Sequence, residues 1–118
     1  MNNSIYTKTI LKMENSESKC IDVCLECAVE CESCATHCIG MNDKEHLRCI
    51  ALCRDCADIC ALCARFEARG SAFTKALCKL CAEICNACAA ECEKLSAHDC
   101  CKSCAAACKK CAEACVSM

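Results

Sequence analysis

Cysteine occupies positions Cys20, Cys24, Cys27, Cys31, Cys34 and Cys38, in steps of four, three, four, three and four. Steps that average near 3.6 residues place every side chain on one face of an α-helix. A strand would need steps of two. The same spacing returns at Cys49, Cys53, Cys56, Cys60 and Cys63, and again at Cys78, Cys81, Cys85, Cys88 and Cys92. It returns a fourth time at Cys100, Cys101, Cys104, Cys108, Cys111 and Cys115. The chain is therefore four copies of one unit, each a helix with a stripe of sulfur.

The gaps between copies carry helix stop and start signals. Gly40 suits the left-handed position after the first helix, with Asn42 as the next N-cap and Glu45 as its capping-box partner. Gly70 and Ser71 repeat the stop and cap, and Ser96 with Asp99 offers another box. The spacing predicts helices over about 17–39, 43–69, 72–95 and 97–117. Short connections make sequential helices antiparallel. The expected fold is all-α, an up-down four-helix bundle over 17–118 with a cysteine-lined core. Residues 1–16 stand apart as an N-terminal segment, with a short helix over 1–15 in which Ile5, Ile10 and Leu11 pack outside.

Composition narrows the function. No Pro and two Gly among 118 residues argue against a loop-rich disulfide scaffold or a β-fold. A net charge of -2 without a basic run makes nucleic acid and anionic membrane poor partners. The N-terminus has no apolar run of signal length, and no stretch approaches a transmembrane span. The expected compartment is the cytoplasm, where thiols stay reduced and many cysteines mean metal or redox work.

Free cysteine is a small hydrophobe and often packs without further purpose. Here all 22 fall on the stripes or their edges, where a bundle normally carries Leu and Ile. A core built so would be under-packed unless something lies between the sulfurs. Thiolates suit Cu(I), Zn(II) and iron–sulfur clusters. Four thiolates around each Zn(II) would bury about ten uncompensated charges over five sites. Bridging thiolates let Cu(I) and sulfur approach one to one, a nearly neutral core with roughly 20 ions per chain. The i,i+4 pairs, such as Cys20/Cys24, Cys27/Cys31 and Cys56/Cys60, are spaced to clamp one ion, and i,i+3 pairs bridge along the line. No Pro follows the cysteines, against a ferredoxin pattern.

His37, His46 and His98 each lie three residues from a cysteine, and the antiparallel topology gathers them at one end with Met41 nearby. That end is the expected mouth for metal, with His98 the first candidate ligand and His37 and His46 behind it. Ordinary helix-end histidine is the alternative. The other end, with Phe66, Phe73 and Met118, is expected to be apolar. Leu52, Ile59, Leu62, Leu77, Leu80 and Ile84 each precede a cysteine and form a second stripe, for packing within the bundle or for a subunit interface. The charged residues read as a solvated surface, and no nucleophile–base pair or phosphate loop appears.

The segments CRDCADICALC (Cys53 to Cys63), CKLCAEICNACAAEC (Cys78 to Cys92) and CKSCAAACKKCAEAC (Cys101 to Cys115) resemble the bacterial cysteine-rich four-helix-bundle copper storage proteins. The resemblance spans roughly residues 17–117. It implies a homotetramer that stores many Cu(I) ions on core cysteines, in the cytosolic branch of that family. It also implies that a histidine at the mouth joins the ligands, a place His98 fits best. Adjacent Cys100 and Cys101 cannot share one line, so one belongs at the rim. The reading is a Cu(I) store and detoxifier rather than an enzyme, with a copper chaperone as a conceivable donor. The alternatives are a metallothionein-like Zn/Cd buffer and a thiol redox protein, for which Cys100 near a helix N-terminus is the candidate.

Overall fold

A computed structural model describes residues 16–118, with side chains from Lys19 onward. The four sulfur-striped segments form α1 (Ser16–Met41), α2 (Leu47–Ala68), α3 (Thr74–Glu93) and α4 (Asp99–Val116). A 3-10 turn, Lys44–His46, precedes α2. No strand occurs among the described residues. The short helix expected within residues 1–15 lies outside them. Each helix packs on two others, α1 on α2 and α4, α3 on α2 and α4. Connected by short turns, the four close into an antiparallel ring around one axis, an all-α bundle whose core is cysteine.

Alanine sets how tightly the ring closes. Ala35, Ala57, Ala64, Ala82, Ala89, Ala105 and Ala112 each follow a stripe cysteine, and all are buried. On α2, α3 and α4 they recur every seven residues, along the flank where helices meet. A methyl group there lets backbones approach until thiols of opposite helices touch. Larger side chains hold the outer seams: Ile21, Val23 and Ile59 are buried, and Leu52, Leu77 and Ile84 are partly so. Leu62 and Leu80, on the same second stripe, remain exposed.

The helix ends depart from expectation at three turns. Gly40 stays inside α1, and Asn42 takes the left-handed conformation with φ 50°. The N-cap of the 3-10 turn is then Asp43, whose side chain accepts from the Glu45 amide at 3.0 Å. Ser71 is not the cap of α3; it lies two residues upstream of the cap Phe73 and accepts from its amide at 3.1 Å. Ser96 caps nothing, because α4 begins at Asp99 after a further turn, with His98 as its N-cap and no side-chain bond there. Each displacement has one cause: the tail of the preceding helix runs on, or folds into extra tight turns, before the chain reverses.

Gly70 does act as the stop. Its φ is +64°, its amide donates to the Glu67 carbonyl at 3.1 Å, and the Ser71 amide reaches the Phe66 carbonyl at 3.0 Å. This is the Schellman pattern, and it requires a left-handed residue. The two glycines should therefore respond oppositely to alanine, since neither has an atom within 4 Å of an added Cβ. Gly40→Ala should stabilise the metal-free protein by about 0.5–1 kcal/mol, as alanine for glycine within a helix does. Gly70→Ala should cost about 1 kcal/mol through left-handed strain. Urea midpoints of the reduced protein check both signs.

Candidate metal centre

Twenty-one cysteines are buried and free; Cys100 alone is half-buried. Their sulfurs form a column along the bundle axis. Neighbours on one helix stand 3.9 Å apart at Cys20/Cys24, Cys27/Cys31, Cys49/Cys53 and Cys56/Cys60. The closer approaches cross between helices. Cys49 reaches Cys92 at 3.5 Å, Cys31 reaches Cys104 at 3.6 Å, Cys56 and Cys60 both reach Cys85 at 3.6 Å, and Cys63 reaches Cys78 at 3.2 Å. The i,i+4 pairs prominent in the sequence are thus the looser contacts, and the tighter ones depend on helix register.

Sets of four sulfurs lie within 4.8 Å of one another. Cys24, Cys63, Cys81 and Cys115 form one set, with a thiol from each helix; Cys27, Cys60, Cys85 and Cys111 form another. Cys27 also belongs with Cys31, Cys56 and Cys108, and Cys31 and Cys108 also belong with Cys88 and Cys104. A sulfur shared by two sets is what a bridging thiolate requires. At the histidine end, Cys34, Cys38, Cys100 and Cys101 complete a set in which Cys101 is buried and Cys100 sits at the rim.

The column cannot ionise freely without metal. Burial pushes the Cys38 thiol up to about 11, and raises Cys78 and Cys101 as well. Deeper in, Cys31 is pushed up by its hydrogen-bonded contacts with Cys104 and Cys108. Cys104, with Cys108 and Cys31 against it, is held below the ordinary range. Cations that compensate each thiolate remove this penalty, and each thiol that binds must release its proton.

The histidines divide. His46, ranked below His98 on sequence, is the buried one at 1% exposure, and its Nδ1 lies 3.2 Å from Cys38 Sγ. His98 is half-buried and meets the His46 ring edge-on, with centroids 4.9 Å apart. His37 does not share the inward stripe. One residue before Cys38, it is turned about 100° around α1, and it lines an exposed groove with Val29, Glu32 and Ala57. Met41 ends α1, half-buried at the same pole.

The opposite pole is less apolar than expected. Phe73 is 71% exposed, Phe66 is half-buried beneath the Arg69 guanidinium, and Met118 is half-buried. The group that closes this pole is Glu67, which is buried and accepts from the Cys63 thiol at 3.8 Å. Sequence reasoning assigned acidic residues to the surface and passed over it. The signal was present: Glu67 follows Cys63 by four and Cys60 by seven, in register with the stripe.

Comparison with known proteins yields one family. The family model described as "Csp: Copper storage protein" matches residues 13–118. The fold superposes on the Cu(I)-bound copper storage protein BsCsp3 with a TM-score of 0.83 and 46% identity, covering 88% of this chain and 98% of that one. The metal-free copper storage protein 3 of Bacillus subtilis gives a TM-score of 0.77 at 46% identity, over 83% of this chain and 93% of that one. A cytosolic copper storage protein from Streptomyces lividans, loaded with five coppers, gives 0.82 at 33% identity, over 89% and 92%. No curated protein matches the chain.

Proposed function

The chain belongs to the copper storage protein family, and on that premise we propose that it stores and detoxifies Cu(I) in the cytoplasm by filling its sulfur column with ions. The observation that carries this reading is the sharing of buried thiols between neighbouring four-sulfur sets. Divalent ions in tetrahedral sites take four thiolates each and, even where they share some, bury uncompensated charge. Monovalent ions bridged by common thiolates neutralise the column along its length. All 22 cysteines are ligands in this reading, and the capacity is roughly 20 ions per chain.

Loading begins at the histidine pole. His46 stands against Cys38, and His98 stands against His46, so an ion held by imidazole passes to a thiol 3.2 Å away. The half-buried Cys100 offers a further thiol at the rim. His98 is thus the outer ligand and His46 the inner one. A copper chaperone is the natural donor in a reducing compartment. The exposed Leu62 and Leu80, with Leu25 and Val29 on α1, supply apolar surface for assembly, and a homotetramer is the expected state. The protein acts as a reservoir, with no reaction assigned to it.

Anaerobic titration of the reduced protein with Cu(I) against a competing chelator tests the reading. Saturation at roughly 20 ions per chain is expected. Saturation near five ions, or tighter binding of Zn(II), would place the protein among divalent-metal buffers. In the same assay His46→Ala should slow uptake about tenfold and leave the equilibrium capacity within one or two ions of the parent. An unchanged rate would remove His46 from the path.

A further inference from the structure

Glu67 interrupts the sulfur column at a position where the spacing calls for another thiol. It is 7% exposed. Its Oε2 accepts from Cys63, while its Oε1 is buried with no hydrogen-bond partner. The contrast with the other buried carboxylate is direct: Glu91 receives Arg48 and Lys94, both at 3.2 Å. Cys63 in turn lies 3.2 Å from Cys78, closer than the other cross-helix thiol pairs named above. The carboxyl opens onto a cavity of about 340 Å³ at the end of the bundle, walled by Gly70, Ser71, Thr74, Lys75 and Met118.

A buried carboxyl with an empty acceptor costs free energy unless a proton or a cation satisfies it. We propose that Glu67, Cys63 and Cys78 form a mixed oxygen–sulfur site for one divalent ion of the zinc type, at the pole opposite the histidines. A carboxylate is a hard donor, poorly matched to Cu(I) and well matched to a borderline divalent ion already held by thiolates.

Geometry agrees. Tetrahedral zinc, with bonds of about 2.3 Å to sulfur and 2.1 Å to oxygen, sets ligand atoms about 3.5–3.8 Å apart. The observed 3.2 Å between the sulfurs and 3.8 Å from Cys63 to Oε2 need only small adjustment. A two-coordinate ion in line between two sulfurs would need them farther apart. The fourth position is left to a water from the cavity that Glu67 lines. Two thiolates, one carboxylate and a divalent cation leave one negative charge at a pole whose cavity is also lined by Lys75. The divalent ion competes with copper for Cys63 and Cys78, and the site does not depend on copper storage: a column that took up no copper would still end in these three donors.

The test is ¹¹³Cd NMR of the reduced full chain with one equivalent of ¹¹³Cd(II), which reports ligand type for zinc-like sites. The expected resonance is that of a two-sulfur, two-oxygen site, well upfield of the all-thiolate region. Glu67→Gln keeps the shape of the side chain but is a poor anion donor. It should lose that resonance and show only all-thiolate cadmium, with far-ultraviolet circular dichroism unchanged. Cys78→Ser should move the resonance further upfield. An all-thiolate resonance for the first equivalent in the parent, a mixed resonance that survives Glu67→Gln, or one indifferent to Cys78→Ser would each overturn the assignment.

Discussion

Loading with Cu(I) should raise the thermal midpoint of the bundle by at least about 20 °C, because each bound ion adds to the free energy of the folded state. A single site filled at a hundredfold excess over its Kd contributes about 2.7 kcal/mol if the unfolded chain does not bind. The unfolded chain does bind, since pairs such as Cys56/Cys60 remain close in sequence. The sets that draw one thiol from each helix have no counterpart there, and they carry the difference. A few such sets outweigh the stability of about 5–15 kcal/mol usual for a domain. The metal-free protein should already be fully helical, held by the buried alanines and the outer Ile and Val seams. Circular dichroism melts of the metal-free and loaded forms check both statements. A midpoint unmoved or lowered by copper, or helix that forms only on loading, would mean that copper is wrapped by a flexible chain instead of filling a preformed column.

Compared with Glu67→Gln, the metal-free protein should lose stability as pH rises from about 5 to 8. The folded pKa of Glu67 lies at about 9 against an ordinary 4.5. Between those values the folded chain keeps a proton that the unfolded chain has released, so each rise in pH favours unfolding. The contribution of this group is complete below its ordinary value and vanishes as pH passes the folded one. At one proton the slope is about 1.4 kcal/mol per pH unit, or about 4 kcal/mol over that range. Above pH 9 Cys38 continues the trend, since burial raises it to about 11. Urea midpoints of the reduced protein at several pH values measure the slope. Glu67→Gln should flatten it below pH 8. A slope that persists unchanged in the variant would refute the assignment.

Several features of the site were legible in the sequence for a simple reason. Periodicity specifies the angle of a side chain around its helix, and burial follows from that angle. Cys53, Cys60 and Cys88 were placed inward by spacing alone, and each has no exposed surface. Adjacency said that Cys100 and Cys101 cannot both face the axis; which of them does so, Cys101, came only from the structure. The same logic misled at His37, because three residues after Cys34 is also one residue before Cys38, about 100° off the stripe. It would have found Glu67 had the stripe been read without regard to residue type.

By itself, the sequence determined four helices, their antiparallel order and the inward face of each, since these depend on local spacing and on connections too short for any other path. Only the tertiary structure decided which sulfurs share a set, that His46 and not His98 touches a thiol, and that a carboxyl closes the far pole. Those facts depend on the axial register between helices and on where each helix stops. Register is set by how alanine flanks and turn residues seat against one another across the ring, an interaction between segments that no spacing within one segment contains.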